Sequence, residues 1–180
     1  MASIPENFLI RDAVEKDMAP IAEIYAYHVL HGLASFEQTP PDVTEISRRW
    51  RAILEKALPY TIAERDGEIL GYAYAGPYRS RPAYRFTVEN SVYVRPKLER
   101  QGLGRGLLAN LIERCTALGL RQMVAVIGDS GHEGSIGLHK ALGFRMVGTI
   151  EAAGFKHGKW VDSVLMQRRL GDGSTTRPES

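Results

Sequence analysis

Apolar and polar positions change period several times along this chain, and each change marks an element. Phe8-Leu9-Ile10-Arg11 reads as a short strand. The stripe Ile21, Ile24, Tyr25, Val29 and Leu33 reads as a helix that Asp17 is suited to cap. Residues 34–41, with two prolines and small polar residues, form a loop. Ile46, Trp50, Ile53 and Leu54 then line one face of a second helix that starts at Asp42 or Thr44 and closes before Pro59. Residues 60–64 and 69–75 are strands, and Asp66-Gly67 between them is a hairpin signal. Gly76-Pro77 opens a polar loop over 78–85. Residues 86–95 are a strand and 101–118 a helix ended by Gly119; 123–127 are an apolar strand, and 135–142 a helix ended by Gly143. Two further strands, 144–150 and 160–166, meet in a loop around His157-Gly158. The predicted order is β-α-α-β-β-β-α-β-α-β-β, an α/β mixed sheet with helices on both sides. It forms one domain over 8–170, with a polar tail at 171–180 expected to be disordered.

Chemistry concentrates where strand 86–95 feeds Gln101-Gly102-Leu103-Gly104-Arg105-Gly106 and a helix follows. Glycines at a helix start let main-chain amides approach an anion closely, and the helix dipole favours its charge. A dinucleotide site wants G-x-G-x-x-G and an acid about 20 residues later. Here the glycines fall as G-x-G-x-G and the next strand, Val124-Ala125-Val126, is wholly apolar. No P-loop G-K-[ST] is present either.

Composition narrows the classes. The chain has 180 residues, 44% hydrophobic and 24% charged, and a net charge of +2 with both signs mixed, so there is no basic block for nucleic acid or an anionic membrane. No window approaches the ~18 apolar residues of a membrane span, and no apolar signal core opens the chain. The single cysteine, Cys115, lies on an apolar helix face as a small hydrophobe, so a reducing cytoplasm is expected. No His/Cys/Asp cluster has ligand spacing, so no metal is expected.

Q-x-x-G-x-G between strand and helix resembles the pyrophosphate signature of the GCN5-related N-acetyltransferases (GNAT), which bind acetyl-CoA, and the element order matches that fold. Within that superfamily the chain is similar to the phosphinothricin/methionine sulfone N-acetyltransferase group. The similarity rests on residues 87–94, the glycine loop, residues 124–127, Ser135 to Phe144 with its His-x-x-Leu-Gly-Phe ending, and residues 154–162. The resemblance implies acetyl transfer from acetyl-CoA to the α-amine of a small amino-acid-like acceptor, commonly by a homodimer. It puts CoA on the backbone of Val92, Tyr93, Val94 and Arg95, on Gln101, Gly102, Leu103, Gly104, Arg105 and Gly106, and near His132, where relatives usually carry asparagine. It puts the acceptor near Ser80, Arg81, Pro82, Asn90, Ser91 and Val92. His139 stands where many superfamily members have a tyrosine that protonates the departing thiolate.

An amine must lose a proton before it attacks a thioester, and Glu89 is the only acid inside its otherwise apolar strand. Desolvation would raise its pKa toward the working range of a base. The competing role for Glu89 is an ion pair with Arg81 or Arg85. A main-chain N–H near 92–94 would hold the oxyanion if the strand bulges there. Tyr84 and Arg81 suit a carboxylate, sulfone or phosphinate oxygen, and Phe36 either packs under its loop or closes over the acceptor. Direct transfer in a ternary complex is the expected mechanism. A transferase acting on protein amines and a non-catalytic acyl-CoA-binding domain are the alternatives.

Overall fold

The computed structural model describes residues 8–178, so the stretch read for a signal core and the last two residues of the tail lie outside the described residues. Seven strands and four helices follow one another as β1 (Leu9–Asp12), α1 (Met18–His31), α2 (Val43–Leu54), β2 (Tyr60–Arg65), β3 (Glu68–Pro77), β4 (Thr87–Val94), α3 (Leu103–Ala117), β5 (Gln122–Gly128), α4 (Glu133–Ala141), β6 (Arg145–Lys156) and β7 (Lys159–Arg169). The sheet order is β1-β2-β3-β4-β5-β7-β6, and only β4 and β5 run parallel. That pair needs a crossover, and α3 supplies it.

Alternation along each strand sorts the core into two layers. Val88 of β4, Leu107, Leu108 and Leu111 of α3, and Met123 and Ala125 of β5 fill one side. Ile21 and Ile24 of α1, Ile46 of α2, and Tyr60, Ile62 and Tyr72 of β2 and β3 fill the other. Cys115 is fully buried in the first layer, and burial pushes its thiol up to about 12, so it stays protonated as the packing residue its position suggested.

Local chemistry explains the element ends. Asp42 caps α2 by accepting the Glu45 amide at 2.8 Å, and Asp66 (φ 52°) and Gly67 (φ 82°) make the tight β2–β3 turn. Asp17 does not cap α1 as expected. Its carboxylate accepts the Val14 amide at 2.8 Å and pairs with Arg11, because a 3₁₀ turn at Glu15–Asp17 intervenes.

Two further expectations need correction. The loop expected around His157-Gly158, between strands ending at 150 and starting at 160, is far shorter than that spacing. β6 and β7 stay paired to Lys156↔Lys159, and only His157 (φ 50°) and Gly158 (φ 75°) turn. Nor is the segment after Leu170 structureless over its described part. Arg121 donates to the Thr176 hydroxyl at 3.0 Å and lies 3.5 Å from Asp172, and these contacts seat 171–176 as turns.

Candidate active site

β4 and β5 pair from Thr87↔Gln122 to Asn90↔Ala125 and then part, although β4 continues to Val94 and β5 to Gly128. The result is a fork. The Arg95 amide bonds the Leu70 carbonyl, which sets the phase of the β3–β4 ladder. Main-chain groups of Glu89, Ser91 and Tyr93 point to β3, and those of Val92 and Val94 turn into the fork. The β3–β4 register carries no shift, so the expected bulge at 92–94 is absent. Divergence of the strands, rather than a bulge, exposes those amides. The fork encloses a slot of about 60 Å³ lined by residues of three elements, among them Asn90, Val92, Ala125, Gly128 and His139.

At the outer end of β4 the chain turns through Lys97 (φ 69°), Arg100 (φ 63°) and Gly102 (φ 83°) into α3. Gly102 precedes the helix in a left-handed conformation with no side chain bonded to the first-turn amides, leaving the amides of Leu103, Gly104 and Arg105 facing outward at the positive end of the dipole. Gly106 does not join them. Its amide bonds the Gly102 carbonyl at 2.9 Å, and a Cβ there would meet the Phe8 ring at 3.0 Å, so this glycine serves packing against the first strand. Arg95 is likewise turned away, its guanidinium on the Ile69 carbonyl at 3.0 Å and beside Glu68. The Val94 carbonyl accepts from His28 Nε2 at 2.8 Å.

Glu89 and Asn90, adjacent on β4, leave opposite faces of the sheet. Glu89 projects on the α1–α2 side, half-buried, with no ion pair to Arg81, Arg85 or any other cation among the described residues. Desolvation raises its carboxyl pKa above the ordinary value, and the more distant charge of Arg79 opposes that shift. Asn90 projects on the α3–α4 side. Its Nδ2 donates to the Val124 carbonyl at 3.0 Å, and its Oδ1 faces His139 Nε2 at 3.0 Å. His139 Nδ1 faces the Ser135 carbonyl at 2.8 Å. Both ring nitrogens therefore meet acceptor oxygens, and no N–H is presented to the slot. Burial lowers the pKa of His139, against the double protonation that both bonds together would require.

Other expected residues divide. Ser91, Val92 and Tyr93 line the slot. Ser80, Arg81, Pro82 and Tyr84 are exposed, in a loop that carries its own bonds, such as Tyr84 N–H to the Arg81 carbonyl at 3.0 Å, and none of them is ion-paired to Glu89. Arg79 of the same loop is the charge that acts against the raised Glu89 pKa, and its guanidinium stacks over Tyr78 at 5.0 Å. Phe36 lies across the end of β6, where a Cβ on Gly154 would meet its ring at 2.6 Å. Lys156 is buried beside it and donates to the Ser35 carbonyl at 2.6 Å, tying the 32–41 loop to the hairpin. His132 accepts the Ser135 amide on Nδ1 at 3.1 Å and so caps α4. Among the described residues no group of three His, Cys, Asp or Glu can hold a metal, and no helix is long and apolar enough to cross a membrane.

The family model described as acetyltransferase (GNAT) domain matches residues 10–165. The chain belongs to the GNAT acetyltransferase family. It is 52% identical to a phosphinothricin N-acetyltransferase of Alcaligenes faecalis over 94% of this chain and 86% of that protein. It is 42% identical to an L-methionine sulfoximine/L-methionine sulfone acetyltransferase of Pseudomonas paraeruginosa, over 89% and 94% respectively. A crystal structure of a GNAT superfamily phosphinothricin acetyltransferase from Sinorhizobium meliloti in complex with AcCoA superposes with a TM-score of 0.94 at 47% identity, covering 97% of this chain and 94% of that one. This GNAT chain is an acetyltransferase by family and by the names of its relatives, and its mixed seven-stranded sheet is the fold the sequence reading expected.

Proposed function

We propose that this enzyme moves an acetyl group from acetyl-CoA to the α-amine of a small amino acid whose side chain ends in a polar oxygenated group, of the phosphinothricin or methionine sulfoximine/sulfone type, by direct attack in a ternary complex. The observation that carries it is the fork: a base on one face of β4 and unpaired main-chain amides at its edge, beside a helix start suited to pyrophosphate. The names of the relatives supply the acceptor class.

Acetyl-CoA is a substrate, and the residues suited to hold it are the first-turn amides of α3 and the main-chain groups of Val92 and Val94. Glu89 takes the ammonium proton of the acceptor, which arrives from the α1–α2 side. A half-desolvated, unpaired carboxylate is more basic than an exposed one, which suits it to that task near neutral pH. The Val92 amide supplies a donor for the carbonyl oxygen as negative charge develops there, an interaction worth ~3–4 kcal/mol in comparable sites. His139 works through Asn90: it fixes the amide that bridges β4 to β5 at the base of the fork, and it is a positioning residue. Because both substrates are held together, no covalent enzyme intermediate is required.

Initial rates of CoA release with phosphinothricin, methionine sulfoximine, methionine sulfone and a histone-tail peptide test the assignment side by side. The amino acids are expected to exceed the peptide by at least ~100-fold in kcat/KM, because the acceptor side is closed by the 32–41 loop. A preference for the peptide would move the enzyme to the protein-modifying class, and binding of acetyl-CoA without CoA release on any acceptor would make the chain a non-catalytic acyl-CoA-binding domain.

We also assign a homodimer to the free edge of the sheet. β6 is an outermost strand, and the hairpin it forms with β7 exposes Val147, Ile150, Phe155 (54%) and Trp160 (67%). Sedimentation equilibrium is expected to give twice the 20.0 kDa chain mass, with Trp160→Glu shifting it toward one chain. A wild-type monomer at micromolar concentration would refute the assignment.

A further inference from the structure

On the Glu89 side of the sheet, between α1, α2 and strands β2 and β3, lies a cavity of about 290 Å³ that the chemistry above does not use. Its floor is a stack of three tyrosines. Tyr60 and Tyr74 lie 4.9 Å apart at 11°, and Tyr60 and Tyr72 5.9 Å apart at 5°. Tyr60 and Tyr72 are only 4% and 2% exposed, yet neither hydroxyl has a hydrogen-bond partner among the described residues, and both side chains line the cavity. Neither hydroxyl is among the side-chain atoms buried without a partner, which among the described residues are Trp50 Nε1, Asn110 Oδ1 and Arg168 Nε, so both keep access to the space they line. Two such donors facing one space suit it to a group that accepts hydrogen bonds.

The walls point the same way. Ile53 supplies apolar surface, and Arg48 and Arg49 stand at the α2 side. Arg49 is held in place by Glu37 at 2.6 Å and Glu45 at 2.7 Å. Burial keeps both phenols well above their ordinary pKa, so they remain O–H donors throughout the physiological range. No carboxylate lines the space. The site is thus rich in donors, poor in acceptors and flat-floored.

The cavity also begins next to the base. Gly76 pairs with Glu89 and Tyr74 with Ser91 across β3 and β4, and Ile53 lies 3.6 Å from where a Gly76 Cβ would be. Cross-strand neighbours stand only about 5 Å apart. An acceptor whose amine meets Glu89 can therefore turn its side chain under α2. The geometry points to this cavity as the subsite that reads the oxygenated head of the acceptor side chain, with the hydroxyls of Tyr60 and Tyr72 as donors to its sulfonyl or phosphinyl oxygens. This assignment rests on the amino-acid acetyltransferase reading and gives that reading its specificity determinant.

Methionine and methionine sulfone differ only in the two oxygens and so form the test pair. In Tyr60→Phe/Tyr72→Phe, the ratio of kcat/KM for methionine sulfone over methionine is expected to fall at least tenfold from the wild-type ratio, since a site built to donate to an oxygen loses its preference when the donors go. A thermal shift with acetyl-CoA confirms that the variant is folded and binds the donor substrate. If the double variant does not fold, Ala52→Phe replaces it: filling the cavity is expected to lower kcat/KM for methionine sulfone relative to alanine at least tenfold. An unchanged ratio in the folded variant, or an equal loss for every acceptor, overturns the subsite while leaving the acetyltransferase reading intact. A wild-type enzyme that acetylates no amino acid overturns both.

Discussion

Glu89→Gln is expected to lower kcat by at least ~100-fold near pH 7 while leaving acetyl-CoA affinity nearly unchanged, because it removes the proton acceptor and nothing that touches the donor substrate. The pH profile gives a sharper readout. Glu89 must be ionised to act, and burial raises its pKa, so wild-type kcat/KM is expected to climb with pH through a limb displaced above the ordinary carboxylate value of about 4.3. That limb should vanish in the variant. Stability separates this role from a structural one. A carboxyl whose folded pKa lies above its unfolded value contributes stability that is fully present below the unfolded pKa and lost as pH rises through the folded one. Above that window the ionised Glu89 is a net cost to the fold, and Glu89→Gln is expected to melt at or above the wild-type temperature at pH 7. A carboxylate in a structural ion pair would give the opposite result: retained turnover and a lower melting temperature.

The elements were legible because each has a strong local cause. Asp42 and Asp66-Gly67 bond to groups within a few residues, and the stripe Leu107, Leu108, Leu111 and Cys115 declares a buried helix face without reference to any partner. Glu89 stands out in the sequence for a local reason too, as the one acid of its strand. What stayed hidden depends on register and on distant contacts. The fork exists because β4 and β5 stop pairing after Asn90, and nothing in either strand's composition marks that point. Asn90 meets His139 across 49 positions, which turned an expected acid into a residue held at both nitrogens. Arg79 and Arg81 look alike in an arginine-tyrosine loop and both are exposed, and nothing in their order shows that the charge of Arg79 is the one felt at Glu89. Gly106 fitted the anion-binding pattern, yet its lack of a side chain is required by Phe8, a residue in another element. The tyrosines of β2 and β3 read as ordinary strand formers, because the space they line together appears only once α2 is laid over them.

Asn90→Leu is the expected second-largest loss, and it tests the base of the fork rather than its chemistry. Asn90 is 6% exposed and makes contacts in two directions, its Nδ2 donating to the Val124 carbonyl and its Oδ1 facing Nε2 of His139, itself 4% exposed. Leucine keeps the bulk and removes both side-chain bonds; the Val124 carbonyl keeps the Asn90 main-chain amide of the β4–β5 ladder, but the His139 ring nitrogen is left buried without a partner at roughly 1–3 kcal/mol. For a chain of this size that corresponds to a fall in melting temperature of about 2–12 °C. Activity should fall with it, by at least ~10-fold in kcat, since an amide displaced by 1 Å at the fork edge no longer meets the carbonyl oxygen it is placed to receive. The double variant Asn90→Leu/His139→Leu decides between the two effects. Replacing both members of a buried polar pair by apolar groups leaves fewer unsatisfied atoms than replacing one, so part of the lost stability should return. Turnover should not return with it, because the side-chain bridge from β4 to the Val124 carbonyl is still missing. Recovery of both together would show that the pair serves folding alone and that the fork keeps its shape without it.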